Sequence, residues 1–111
     1  MIKKKYLKSK DRCKVTFTLS PETVQNADKV RVLGDFNEWS WEDGLQMKAV
    51  KTGLQASIEL QPGKNYEFRY LTDSGQWIND GTADEYTPAP FEGVQNCVIS
   101  LPAQLDSNNE N

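Results

Sequence analysis

The sequence predicts a small antiparallel β-sandwich, and three observations carry that prediction. Apolar and polar residues alternate with period two through five runs, turn residues stand between the runs, and no window offers an amphipathic helix. At most, residues 21–28 hold one helical turn. A chain of 111 residues allows one domain, and its eleven aromatics are enough to seed one core despite an apolar content of only 37%.

The runs can be read in order. Val15, Phe17 and Leu19 alternate with Lys14, Thr16 and Thr18 until Ser20-Pro21 closes the first. Val30 and Val32 alternate with Lys29 and Arg31 before Gly34 breaks the second. In the third, Leu54, Ala56, Ile58 and Leu60 alternate with polar residues, and Pro62-Gly63 makes the turn. Tyr66, Phe68 and Tyr70 follow, so Glu67, Arg69 and Leu71 face the other way; Leu71 is an odd companion on a solvated face. After the turn at Asp73-Ser74-Gly75, the last run covers 96–101 and ends at Pro102. Short strands at regular spacing, each with one buried face, are the pattern of two packed sheets.

The flanks differ from this unit. Residues 1–14 carry seven Lys/Arg against one Asp, net +6, whereas the remaining 97 carry six basic against fifteen acidic residues, net −9. We therefore expect a flexible basic arm over 1–10, a folded domain over 11–101, and a disordered polar tail over 102–111. An acidic body disfavours nucleic acid, because neutralising phosphate dominates such affinity. No apolar run approaches the roughly 20 residues that span a membrane, and no secretory signal follows the basic start. Two cysteines are too few for a disulfide scaffold, so the expected setting is cytoplasmic. Cys13 and Cys97 are expected on neighbouring first and last strands, as buried free thiols.

Histidine is absent. That removes Ser-His-Asp and Cys-His triads, histidine general bases and most transition-metal sites. The glycines are scattered singly, so no phosphate loop is present. Neither a cofactor nor a metal is expected. Asp73, Asp80, Asp84 and Glu85 lack the order of an EF-hand and read as a solvated acidic edge. A glycosidase would need two carboxylates flanking a cleft, which a domain this small does not suggest. The composition favours a binding module over an enzyme.

The informative residues lie between strands. GDFNEWSW (34–41) holds Phe36, Trp39 and Trp41, and GQWIND (75–80) sets Trp77 just after a turn. Phe36 follows the Val30/Val32 alternation and is expected to plug the end of the sandwich. Trp39 and Trp77 are expected at the surface, where large apolar area left in water implies a partner. A pyranose fits such a surface, since indole stacks on its C–H face while Asn, Arg and Asp bond its rim hydroxyls. Tryptophans also anchor protein interfaces, and chemistry alone does not separate the two.

GDFNEW, YEFRYLTDSGQWIND, ADEYTP and GVQN resemble the glycogen-binding modules of AMP-activated protein kinase β subunits. The same early-set, immunoglobulin-like module precedes the catalytic barrels of isoamylases and glycogen branching enzymes. The resemblance covers roughly 13–101. It implies an immunoglobulin-like sandwich of about seven or eight strands and non-catalytic binding of α-1,4-glucans such as glycogen, starch or maltodextrin. Carried over residue by residue, Trp39 and Trp77 match the stacking tryptophans, and Asn96 matches an asparagine that holds sugar hydroxyls. Arg69 falls where the kinase modules carry a sugar-bonding lysine. Val94 stands in a threonine slot, and Phe91 or Glu92 falls near a leucine that reaches into the glucan. Trp41 has no counterpart and is expected to pack near its loop.

Each assignment has an alternative. Either tryptophan could be a plug, Arg69 could pair with Glu67 or Glu59 on the strand face, and Asn96 could close an Asx-type turn at Gly93. For the whole chain the alternative is a protein-interaction domain that keeps the fold without the sugar. Such a domain would act in trans on a glucan-metabolising enzyme.

Overall fold

The computed structural model describes residues 1–7, 11–20, 22, 29–51, 53–90 and 93–102. Among the described residues, ten antiparallel strands form two sheets, with a 3-10 turn at Asp35–Asn37. The first sheet has the order β1 (Ile2–Leu7), β2 (Arg12–Leu19), β6 (Gly53–Leu60), β5 (Lys48–Val50). The second runs β4 (Leu45–Gln46), β3 (Val30–Gly34), β7 (Lys64–Thr72), β10 (Gln95–Leu101), β9 (Glu85–Pro88), with β8 (Trp77–Ile78) also on β7. The all-β sandwich expected from the alternation is the observed fold. The strand count exceeds both the five period-two runs and the seven or eight strands that the resemblance implies; β4, β5 and β8 have only two or three residues, too few to show a period.

Alternation places the core between the sheets. Cys13, Val15, Phe17 and Leu19 of β2 are buried, facing Tyr66, Phe68 and Tyr70 of β7 and Cys97, Ile99 and Leu101 of β10. Phe17 is at the aromatic centre, 5.1 Å from the Phe68 ring and 6.2 Å from Tyr70. Phe36 packs against this cluster between Phe17 and Tyr66, as its position after β3 predicts. Burying side chains of this size contributes roughly 1.5–3 kcal/mol each.

Three expectations need correction. The basic arm is not free: residues 2–7 form β1 and pair with β2 from Ile2↔Phe17 to Leu7↔Arg12. Ile2 and Tyr6 pack against the core, and the Lys4 ammonium between them reaches Asp84 and the Ser100 carbonyl on the other sheet. Cys13 and Cys97 are buried and free, but β2 and β10 lie in different sheets and are not neighbouring strands. Asp80 is no solvated edge residue, being only 2% exposed. Its carboxylate accepts hydrogen bonds from the Tyr70 hydroxyl (2.6 Å), the Thr82 N–H and hydroxyl (both 2.7 Å), and the Met1 amino group (2.9 Å). The expected turn at 21–28, apart from Glu22, and the tail from 103 onward lie outside the described residues. Among the described residues, no helix is long and apolar enough to cross a membrane.

Candidate functional site

The site lies on the outward face of the second sheet. β7 alternates strictly, so Tyr66, Phe68, Tyr70 and Thr72 are buried while Glu67, Arg69 and Leu71 face out. β8 pairs with the end of β7 as Tyr70↔Ile78 and Leu71↔Trp77. Trp77 thus stands opposite Leu71, which accounts for an apolar residue on this face. β10 pairs with the first half of β7, from Cys97↔Phe68 to Leu101↔Lys64, and brings Asn96 alongside.

Trp39 arrives from the other side through a tightly built loop. Gly34 has no room for a side chain: a Cβ there would collide with the Glu67 carbonyl and come within 3.0 Å of Phe36 and Phe68. Asn37 ties the turn, accepting from the Gly34 N–H and donating to the Val32 carbonyl, each at 2.9 Å. Glu38 and Trp39 then both adopt left-handed φ angles of 57° and 60°. Such angles cost non-glycine residues roughly 1–3 kcal/mol each. The turn is held by the Trp39 N–H donating to the Gly34 carbonyl at 3.0 Å and the indole N–H donating to Asp35 at 3.2 Å.

The result is an open groove of about 700 Å³ that brings together all four residues singled out in the sequence: Trp39, Trp77, Arg69 and Asn96. Glu67 lies on its floor, and Val94 with Ala89 and Pro90 completes the wall. The Trp39 and Trp77 rings are 6.4 Å apart at 52°. A sugar ring sandwiched between two indoles needs roughly 7–8 Å, twice the carbon–carbon contact distance of about 3.5–4.0 Å. The pair therefore offers a bent surface to lie across, with no slot to enter.

Two hydrogen-bonded chains frame this surface. On one side the Trp39 indole N–H and the Glu67 backbone N–H (2.8 Å) both donate to Asp35, and the Glu67 carboxylate accepts from the Asn96 amide at 3.0 Å. On the other, Arg69 Nε donates to Asn79 Oδ1 at 2.7 Å, and Asn79 Nδ2 donates to the Gln95 carbonyl at 3.0 Å. Arg69 therefore pairs with neither Glu67 nor Glu59. Its guanidinium carbon lies 5.1 Å from the centre of the Trp77 ring. Burial pulls the Arg69 pKa down, although an arginine stays protonated in proteins. Asn96 is buried and spends its amide on Glu67; that bond closes no turn at Gly93. Trp41 packs under its own loop, beneath the Arg31 guanidinium at 4.6 Å. Phe91 and Glu92 lie outside the described residues.

The groove presents apolar ring faces beside hydrogen-bonding groups of both polarities. Glu67 keeps acceptor capacity, the Asn96 carbonyl is a second acceptor, and the Arg69 terminal nitrogens are donors. Among the described residues, no group of three or more His, Cys, Asp or Glu could hold a metal ion. Sequence reasoning missed Glu67, Asp35 and Asn79 as site residues. Glu67 shares the outward register of Arg69, and Asp35 precedes Trp39 by four residues, so both left a signal. Asn79 left none, because its partner depends on β8, a strand of two residues. Compared with known proteins, the chain matches no family model and no curated protein.

Proposed function

We propose that this groove binds α-1,4-linked glucan without turning it over. The observation that supports the reading best is the convergence of Trp39, Trp77, Arg69 and Asn96 on one surface from separate loops and strands. An α-1,4 chain curves, and two rings at 52° offer successive glucose units two differently inclined platforms. Hydroxyls at the sugar rim then meet Glu67 and Asn96 as acceptors and the Arg69 terminal nitrogens as donors.

Two stacked sugars and a few wet hydrogen bonds correspond to a dissociation constant of about 1 mM to 10 μM, or roughly −4 to −7 kcal/mol. Because the ligand is neutral, affinity is nearly independent of salt, in contrast to a polyanion. The test is a titration of labelled protein with maltoheptaose, using cellohexaose as control, followed through indole and amide N–H resonances. Saturable shifts at Trp39 and Trp77 with the α-linked sugar alone are expected. Silence at millimolar maltoheptaose would overturn the reading and favour a protein partner.

A further inference from the structure

The two tryptophans are held differently. The Trp39 indole N–H is tied to Asp35, whereas among the described residues nothing accepts a hydrogen bond from the Trp77 indole. Trp77 is 42% exposed, on a two-residue strand directly after a turn. The inclination of its ring depends on what touches its faces. Besides Leu71 across the ladder, those neighbours include Trp39, itself a candidate ligand contact, and the Arg69 guanidinium.

Resting on the glucan reading above, we propose that Arg69 is a positioning residue for Trp77, locked in place by Asn79, and is not itself the principal sugar contact. The β7–β8 register sets this up. Leu71 stands opposite Trp77 and Tyr70 opposite Ile78, so continuing the ladder sets Arg69 opposite Asn79, on the same outward face as Trp77. Asn79 fits this role because both ends of its amide are engaged: Oδ1 accepts from Arg69 Nε, and Nδ2 donates to the Gln95 carbonyl. The amide orientation is therefore fixed by two partners that cannot be exchanged. Arg69 in turn has the planar, delocalised head that can lie against an indole while its Nε donates sideways. A lysine ammonium has the charge but neither the plane nor the Nε. Asp80, next in sequence, is buried and bonded to Tyr70 and Thr82, which fixes the backbone that carries Asn79.

The test uses the full chain and two readouts: the Nε–H resonance of Arg69 with the indole resonance of Trp77 in the absence of sugar, and maltoheptaose affinity. In the parent protein the Arg69 Nε–H signal should be sharp and ring-current shifted. Asn79→Ala should remove that signal, move the Trp77 indole resonance and weaken maltoheptaose by roughly 2–5-fold, the span of an exposed cation–π contact. Arg69→Lys should weaken binding as much as Arg69→Ala despite keeping the charge, and adding Asn79→Ala to it should change nothing further. Asn79→Asp keeps the acceptor for Arg69 but sets an oxygen against the Gln95 carbonyl, so both readouts should fall between the parent and Asn79→Ala.

Parent-like binding by Arg69→Lys would overturn the proposal and make Arg69 a charged sugar contact. So would an Asn79→Ala protein that loses the Arg69 signal yet keeps its affinity and its Trp77 resonance. A parent protein silent to maltoheptaose would overturn the glucan reading instead. The sugar-free resonances then decide separately whether Arg69 and Asn79 support Trp77.

Discussion

Asp35 and Trp39 are joined by a hydrogen bond from the indole N–H to Oδ1, while Oδ2 of the same carboxylate accepts the backbone N–H of Glu67. One side chain thus fixes a ring of the groove to the strand that forms its floor. A tryptophan in a left-handed conformation would otherwise sample several orientations, and the carboxylate selects one.

Asp35→Ala should therefore weaken maltoheptaose binding by about tenfold, the equivalent of one net charge-assisted hydrogen bond of about 1.5 kcal/mol. Asp35→Asn retains one acceptor and should lose less. Titration of both variants, with the Trp39 indole resonance as reporter, checks the order.

Gly34 supports the same loop from beneath. Its replacement by alanine drives a Cβ into the Glu67 carbonyl, which neither backbone can yield cheaply. The expected loss is about 1–3 kcal/mol of stability, the usual range for overpacking. Thermal or denaturant unfolding should show it, together with weaker binding, because the loop that bears Trp39 must shift.

The pH dependence of stability should have two limbs. Burial acts to raise the Asp80 pKa, but hydrogen bonds from Tyr70, Thr82 and the Met1 amino group outweigh it, and the net pKa is lowered. Burial likewise opposes a lowered pKa at Asp84, where Lys4 and the Ser100 N–H prevail. A depressed carboxyl pKa means the unfolded chain binds more protons, so this stability is present at neutral pH. It is lost as pH falls below the ordinary aspartate value of about 3.9 and through the folded values. Tyr70 has the opposite sign: burial, then its bond to Asp80, raises the phenol pKa far above its usual range. Its contribution is intact below the ordinary tyrosine value of about 10 and declines as pH rises beyond it. Denaturant midpoints between pH 2 and 11 should show both limbs, and Asp80→Asn should flatten the acid one.

Both thiols are fully buried, and burial is the main cause that raises the pKa of each. A thiol that is neither exposed nor ionised is a poor nucleophile. Alkylation at neutral pH should therefore be negligible in the native protein and should follow unfolding through the denaturant transition. Rapid labelling of either cysteine under native conditions would contradict this packing.

How much of this was legible in the sequence depended on how many residues each feature spans. Val15, Phe17 and Leu19 reveal β2 because three apolar positions at period two outlast any local accident. The same period exists in β1, where Ile2 and Tyr6 point inward. However, the inward position between them is Lys4, whose ammonium passes the edge of the sheet to Asp84, so the segment reads as a run of charge. At the groove, Trp39 and Trp77 announce themselves as large apolar side chains in polar loops. Asp80 does not, since an aspartate in a loop is ordinarily solvated. Only the fold brings Tyr70 and Thr82 to it.

Both chains of hydrogen bonds that frame the groove end on β10, at Gln95 and Asn96. Among the described strands this one comes last in synthesis, and it lies between β7 and β9. Its pairing with β7, from Cys97↔Phe68 to Leu101↔Lys64, is non-local and carries the entropy cost of closing a long loop. Competence to bind should consequently require β10 to be in place, whereas strand content can begin to rise before it. Ligand capture would then report completed folding, and a chain interrupted ahead of residue 95 would lose the site while retaining its most informative motifs.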